Sequence, residues 1–195
     1  MPVLDRAHGI SDDKYLAFCA ANPDLRLKRT ARGEIVIGPP AGYESDHRNA
    51  DVTAQLFAWA KKKGGGNVSG SSAGFFLPDG AALSPDAAWI SQERLSSVPR
   101  AQLRRFPRVV PEFIIEVMSP TDTLRGAQRK MRQWMANGVE LAWLIAWDNK
   151  RGDNKCVYIY RKGSDPRQVR NADRLAGEGP VEGFVLDLAG IWEGL

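Results

Sequence analysis

The stretch "PEFIIEVMSP", residues 111–120, determines how the rest of the chain is interpreted. Its apolar residues form a nearly continuous run between two prolines, which is typical of a strand buried on both faces. Glu116 interrupts that run. Because a carboxylate that leaves water loses much of its hydration energy unless it is paired, we expect Glu116 to have a specific partner.

Length and composition limit the class of protein. The chain has 195 residues, of which 43% are hydrophobic and 26% are charged, as in an ordinary soluble domain with a sizeable core. No apolar run approaches the roughly 20 residues of a membrane-spanning helix. Residues 1–15 lack the apolar segment of a secretion signal, so we expect a cytoplasmic protein with no membrane contact.

Several common kinds of site are excluded by the residues present. Cys19 and Cys156 have no CxxC spacing and indicate reduced packing residues. The two histidines, His8 and His47, are too few for a His-rich metal site. Neither G-x-S-x-G nor a Walker-type loop occurs, and Gly64–Gly66 lacks the context of a dinucleotide-binding loop.

The chain is moderately basic. Its 27 Lys and Arg residues exceed its 23 Asp and Glu residues, which gives a net charge of +4. This excess is compatible with a nucleic-acid partner but does not establish one, because each basic cluster alone is typical of a solvated surface. The clusters are Arg26–Arg32, Lys61–Lys63, Arg100–Arg108 and Arg125–Arg132.

Periodicity and turn residues predict one α/β domain over residues 1–195, with a mixed sheet flanked by helices. We expect an N-terminal helix and hairpin (about 11–38), a core (about 45–161) and a C-terminal strand and turn (about 167–195). Within these we predict a helix capped by Ser11, a hairpin in 25–38, a helix over about 46–62, two strands in 67–91, and a helical or irregular segment over 92–108.

The strand that contains Glu116 precedes the second long helix. We expect Thr121 or Asp122 to cap that helix, which runs to about Asn137. Residues 139–147 predict a buried strand that pairs with residues 155–162 across the turn at 148–154. Residues 181–195 predict one short strand and an apolar terminal turn.

A second acid suggests a reason for Glu116. Asp86 follows a proline in "LSPDAAWIS", residues 83–91, at the mouth of the preceding buried strand. Two acids on neighbouring strands repel each other unless a cation lies between them, and Mg²⁺ is usually held by one or two carboxylates with water and phosphate. Two alternatives remain: Asp86 caps the Ser84-Pro85 turn, and Glu116 pairs with an arginine in the core.

Lys130 is the third candidate. At 100° per residue it lies near the edge of the apolar stripe formed by Leu124, Ala127, Met131, Trp134 and Met135. Its stem can follow the core while its amine reaches the sheet edge, where a cation would assist phosphodiester attack. We expect the amine to make no core contact, and the alternative is a surface lysine.

These residues carry a family resemblance. Pro85-Asp86, then Glu116 in an apolar strand and then a lysine resemble the PD-(D/E)xK nuclease signature, which is degenerate. The wider set, "LSPDAAWIS", "PEFIIEVMSPTDTL", "QRKMRQWMANGVELAWLIAW" and "GFVLDLAGIW", is similar to the Uma-two family of restriction endonucleases from about Asp12 to Trp192. The resemblance implies a restriction-endonuclease-like fold, with Asp86 and Glu116 as metal ligands.

The sequence departs from the signature at one position. Met118 stands two residues after Glu116, where the motif has lysine, and by resemblance Lys130 takes the role. Gln128 and Glu34 are further candidates, the first for substrate contact and the second as an upstream acid or a solvent-facing hairpin residue. Asn49 and His47 could reach a phosphate, although capping of their helix is the simpler interpretation.

The resemblance therefore implies a Mg²⁺- or Mn²⁺-dependent endonuclease acting on nucleic acid, most simply double-stranded DNA. Its catalytic residues would be Asp86, Glu116 and Lys130. A homodimer would suit cleavage of both strands of a duplex. The alternative is a DNA-binding or protein-interaction module that keeps the fold without turnover.

Overall fold

The chain folds into alternating helices and strands, which the computed structural model describes over residues 9–147 and 155–193. The α-helices are α1 (Asp12–Ala21), α2 (Tyr43–Lys63), α3 (Gln92–Ser96), α4 (Arg100–Leu103), α5 (Leu124–Ala136) and α6 (Ala189–Glu193). The strands are β1 (Arg26–Arg29), β2 (Ile35–Gly38), β3 (Gly66–Gly70), β4 (Phe75–Phe76), β5 (Ala82–Leu83), β6 (Ala87–Ser91), β7 (Phe113–Val117), β8 (Leu141–Ala146), β9 (Cys156–Arg161), β10 (Arg167–Arg170), β11 (Arg174–Ala176) and β12 (Val185–Asp187).

The centre of the fold is a six-stranded mixed sheet in the order β10-β9-β8-β7-β6-β3. The pair β7 and β8 is parallel, and the other neighbours are antiparallel. A parallel pair needs a crossover connection, and α5 supplies it. This architecture confirms the predicted α/β class with a mixed sheet between helices.

Both faces of β7 are buried, as its sequence predicts. Ile115 packs in the core cluster on the α2 side of the sheet. Ile114 and Met118 pack in the opposite cluster with Trp134 of α5. Because side chains alternate along a strand, Glu116 lies on the same face as Ile114 and points toward α5.

The position of α5 is fixed at both ends. The Thr123 side chain accepts a hydrogen bond from the Gly126 amide at 3.2 Å and caps the first turn. At the other end the Asn137 and Gln133 amide groups each donate to an Asp79 carboxylate oxygen at 3.0 Å. The Asp79 amide donates back to the Asn137 side chain at 2.9 Å. These contacts hold α5 against the turn that precedes β5.

A smaller sheet lies beside the large one, in the order β2-β1-β5-β4. Strands β1 and β2 form the N-terminal hairpin, and β1 pairs with β5 at Arg29 and Ala82. The Arg29 guanidinium donates to the backbone oxygens of Ile10 and Gly80, each at 3.0 Å, and pairs with Asp12. The hairpin is therefore joined to α1 and to the β4–β5 turn by one buried side chain.

Several predicted elements are confirmed within a few residues. Ser11 caps α1, and the N-terminal hairpin, α5 and the pair β8–β9 occur where expected. Helix α2 begins at Tyr43, three residues before the predicted start. The turn predicted at 148–154 lies outside the described residues.

Other expectations were wrong. The segment 67–91 holds four strands, β3 to β6, because the Pro78-Asp79-Gly80 turn joins the short pair β4–β5, which lies apart from the two longer strands. Thr123 caps α5 where Thr121 or Asp122 was expected, because Asp122 binds the Ser119 amide and hydroxyl instead. Strands β10 and β11 were not predicted, since their alternating polar residues resemble a loop.

Helix α2 has 21 residues, but charged side chains occur along its length. Within residues 9–147 and 155–193, no helix combines the length and the apolar character needed to cross a membrane.

The close packing of β3 on β6 gives a first prediction. A Cβ added at Gly66 would lie 2.5 Å from the Trp89 ring and 2.6 Å from the Ile90 carbonyl oxygen. We therefore expect Gly66→Ala to lower the free energy of unfolding by about 1–3 kcal/mol, measured by urea unfolding.

Gly70 on the same strand is the matched control, because its added Cβ would lie 3.4 Å from Thr53, an ordinary contact. Gly70→Ala should change the unfolding free energy by less than about 1 kcal/mol. If both variants lost the same free energy of unfolding, the close contact of Gly66 with Trp89 and Ile90 would not explain the destabilisation.

Candidate active site

The partners of Glu116 are a lysine and a tryptophan. The Lys130 ammonium lies 2.6 Å from Oε1 and donates to Oε2 at 2.7 Å. The Trp134 indole N–H donates to Oε1 at 2.9 Å. Both donors come from α5, one turn apart, so the helix that covers this face of β7 also neutralises its buried acid. The expected alternative, an arginine partner, was wrong.

The Lys130 ammonium contacts the backbone as well as Glu116. Besides its hydrogen bond to Glu116 Oε2, it donates to the Ser84 carbonyl oxygen at 3.0 Å. Two of its three N–H donors thus form hydrogen bonds, and its contact with Glu116 Oε1 is an ion pair. The side chain is 22% exposed. The expectations that its amine makes no core contact, or that it is a surface lysine, were therefore wrong.

Asp86 lies directly before β6. Ala87 pairs with Ile115, so the register places Asp86 opposite Glu116 on the neighbouring strand. One Asp86 carboxylate oxygen accepts the Val117 amide at 2.8 Å, and the other accepts the Asn49 side-chain amide at 3.2 Å. The carboxylate therefore links β7 to α2, whereas the sequence had suggested capping of the Ser84-Pro85 turn as an alternative.

Burial and charge shift the pKa values of these groups. Burial raises the pKa of Asp86, against the opposing effect of Lys130. Burial also raises the pKa of Glu116; Lys130 opposes that rise and the nearby Asp86 adds to it. Burial disfavours the Lys130 cation, but Glu116 and Asp86 outweigh it and raise its pKa. The ammonium therefore stays charged between two acids whose negative charge is costly.

Two further charged residues belong to this cluster and were not proposed from the sequence. Lys28 of β1 is half-buried, and its pKa is lowered first by Lys130 and then by burial. Asp122 adds its charge to the field at Asp86, Lys130 and Lys28. In the sequence, Lys28 is one of several basic residues of the N-terminal hairpin. Only the alternation of side chains along a strand indicates that Lys28 and its neighbour Arg29 point to opposite faces.

The remaining candidates lie in different surroundings. Glu34 is in the N-terminal hairpin turn, where its carboxylate binds Thr30 and Arg32, each at 3.2 Å. Gln128 is half-buried on α5, two residues before Lys130. His47 is exposed. The cap of α2 is Gly42, so the expectation that Asn49 or His47 caps this helix was wrong.

An open cavity adjoins the Asp86 side of the cluster. Its volume is about 760 Å³, and its lining includes Asn49, Thr53 and Phe57 of α2 together with the loop 70–73. Thr53 also donates to the Asp86 backbone oxygen at 3.4 Å. A second cavity of about 320 Å³ shares Ser72 and Ala73 with the first and includes Arg104 and Arg105 in its lining. Two residues bonded to Asp86 thus line a cavity whose neighbour contains basic residues.

The donor set fits a small divalent cation completed by water and phosphate. Each Asp86 oxygen accepts one hydrogen bond, which leaves lone pairs on a carboxylate that offers about four acceptor sites. Within the described ranges no group of three or more His, Cys, Asp or Glu residues could hold a metal alone. Asp86 therefore keeps open positions, whereas the Glu116 oxygens are in contact with Lys130 and Trp134. One or two carboxylates completed by water and phosphate are the ligands with which Mg²⁺ is commonly bound.

The Lys130–Glu116 pair gives a second prediction. Lys130→Met keeps the apolar stem but leaves Glu116 buried without its cation, so we expect the free energy of unfolding to fall by about 3–5 kcal/mol at neutral pH. Burial raises the pKa of Glu116, and removing Lys130 takes away the main opposing charge, leaving only the weaker effect of Lys28. The folded variant then binds a proton that the unfolded chain releases, so its stability should fall as pH rises through the raised pKa and recover in acid.

Urea unfolding over about pH 5 to pH 8 measures this dependence. The double variant Glu116→Gln with Lys130→Met is the control, because it removes the buried charge, and it should regain most of the loss. A double variant as unstable as the sum of the two single variants would contradict the pairing.

Comparisons with known proteins agree with this architecture. The model of the Uma2 family, described as "Putative restriction endonuclease", matches residues 12–189. The crystal structure of a "putative nuclease belonging to DUF820" from Anabaena variabilis superimposes with a TM-score of 0.72 over 94% of this chain and 98% of that chain. At 15% sequence identity this likeness establishes the fold alone.

No curated protein matches the sequence. The family match nevertheless covers most of the chain and confirms the resemblance found in the motifs around Asp86, Glu116 and Lys130. The chain therefore belongs to the Uma2 family of nucleases.

Proposed function

We propose that this protein is a metal-dependent endonuclease that hydrolyses phosphodiester bonds in DNA, with Asp86, Glu116 and Lys130 in the roles of a PD-(D/E)xK site. The observation that carries the proposal is the juxtaposition of two acids on adjacent strands with a lysine bonded to one of them. Acids whose charge is disfavoured by burial are typical of sites built to receive a cation.

Asp86 and Glu116 would hold Mg²⁺ or Mn²⁺. When bound, such an ion polarises a phosphate oxygen and lowers the pKa of a coordinated water. Neighbouring residues orient both acids: Val117 and Asn49 hold the Asp86 carboxylate, and Trp134 and Lys130 hold that of Glu116. Each carboxylate is thus directed before any ligand arrives, which reduces the reorganisation needed during reaction.

A polyanionic substrate agrees with the charge of the protein. The net charge is +4, and Arg104 and Arg105 line the cavity that shares Ser72 and Ala73 with the cavity beside Asn49 and Thr53. Arginines at such a surface can bind backbone phosphates without reading sequence. We propose duplex DNA as the substrate and a two-fold dimer as the unit that cuts both strands.

One observation favours a second candidate function, a nucleic-acid-binding module without turnover. The Lys130 ammonium donates to Ser84 and to Glu116 and forms an ion pair with Glu116, so its contacts here serve the protein itself. The position at which the motif normally has lysine is the buried Met118. A cleavage assay separates the two functions.

The assay compares nicking of supercoiled plasmid by the parent and by Asp86→Asn in Mg²⁺ or Mn²⁺. We expect the parent to nick the plasmid and Asp86→Asn to be slower by about a hundredfold or more, because the amide cannot supply the negative charge. The matched control is Asp165→Asn, in which the same chemical change is made on an exposed loop. Nicking by Asp86→Asn at the parental rate would rule out the proposed site.

Metal binding can be tested without turnover. A ligand that binds the folded state at about 100 times its Kd adds about 2.7 kcal/mol of stability. We therefore expect Mn²⁺ to raise the melting temperature of the parent and of Asp165→Asn, but to have little effect on Asp86→Asn. An unchanged melting temperature of the parent at millimolar Mn²⁺ would contradict a metal site at these acids.

A further inference from the structure

The cluster contains a second lysine whose role differs from that of Lys130. The ammonium of Lys130 donates to Ser84 and Glu116 and is paired with the Glu116 carboxylate. A phosphodiester that approached the acids would be bound more strongly if a cation not paired with Glu116 stood beside the metal. Lys28 is the other lysine whose charge acts on this cluster.

Strand β1 directs Lys28 toward the acids. Its neighbours Leu27 and Arg29 lie on the opposite face: Leu27 packs in the cluster with Tyr15, and Arg29 is bonded to Ile10, Asp12 and Gly80. Alternation along the strand turns Lys28 the other way. Because Arg29 pairs with Ala82, Lys28 lies close to the end of β5, beside the Ser84 carbonyl that Lys130 contacts.

Lys28 is placed like a ligand-binding group. It is half-buried, and its charge interacts with Glu116, Asp86 and Asp122. Its backbone pairs within the β1–β2 hairpin, but within residues 9–147 and 155–193 its ammonium forms no hydrogen bond or ion pair, so the ammonium N–H donors remain available. A half-buried cation with free donors acts on an anion more strongly than an exposed one, because less water screens the interaction.

Charge balance supports the same assignment. The cluster has three acids, Asp86, Glu116 and Asp122, and two lysines, which leaves one negative charge when all are ionised. A bound divalent cation would turn this into one positive charge. A phosphodiester carries one negative charge, so a single phosphate would neutralise the site when it binds.

We propose that Lys28 binds the phosphate that is to be cleaved, through its non-bridging oxygens, while Lys130 acts as a positioning residue for Glu116. This assignment rests on the proposed nuclease function. Lys28 would then be the residue that stabilises charge on the phosphate, and the N-terminal hairpin would be part of the active site.

The first experiment measures single-turnover plasmid nicking by Lys28→Met, which keeps the stem and removes the charge. We expect a rate at least about a hundredfold below that of the parent, with an unchanged urea midpoint, and partial recovery in Lys28→Arg. Lys14→Met is the matched control, since Lys14 is exposed on α1. Parental nicking by Lys28→Met, or loss of rate explained by unfolding in both Lys28 variants, would overturn the proposal.

The second experiment does not depend on cleavage. Acetylation of the parent by an amine-reactive ester, followed by peptide mass spectrometry, compares Lys28 with Lys14 in the presence and absence of saturating mixed-sequence DNA fragments. We expect DNA to slow the modification of Lys28 several-fold and to leave that of Lys14 unchanged. Equal modification of Lys28 with and without DNA would overturn the phosphate contact. Protection without any nicking by the parent would retain the contact and refute the nuclease.

Discussion

The structure depends on keeping one carboxylate, Glu116, inside the protein. An ionised group buried between a sheet and a helix is tolerated when every lone pair and charge around it is matched. Here the match comes from one helix, because Lys130 and Trp134 are four residues apart on the same face of α5. Both contacts form only when α5 has one rotation about its own axis and one position along that axis relative to β7.

That requirement explains how α5 is fastened. Its first turn is capped by Thr123, and its last turn is bonded to Asp79 in the turn before β5. The same turn leads through β5 to Ser84, whose carbonyl oxygen accepts a hydrogen bond from Lys130. The contacts that stabilise the helix are thus continuous with those that orient the candidate site.

Local sequence signals were sufficient for the central part of the site. The apolar run around Glu116 predicts a buried strand, and helical spacing places Lys130 beside the apolar stripe that faces it. Asp86 was found because an acid next to a buried strand is unusual. Strands β7, β8 and β9 of the large sheet followed from the same reasoning, since they are strongly apolar.

Other parts depend on contacts between distant segments. Lys28 joins the site through the pairing of β1 with β5, more than 50 residues later in the chain, and no local pattern specifies that pairing. Asn49 was expected to be a cap because helix starts are uncertain by several residues; the helix actually begins at Tyr43 and directs Asn49 to Asp86. The indole N–H of Trp134 was overlooked because an apolar stripe conceals its one polar atom.

The hairpin that carries Lys28 is held by the Arg29 side chain, whose hydrogen bonds and ion pair go to residues outside the candidate site. Arg29 joins β1 to Ile10, Asp12 and Gly80, and so determines how far the next residue along the strand stands from Glu116. Because the energy of an ion pair depends on the distance between its charges, the contacts of Arg29 influence how strongly Lys28 and the acids interact. A substitution at Arg29 would then change the distance between Lys28 and the acids from the opposite face of the hairpin, without contact with any residue of the candidate site.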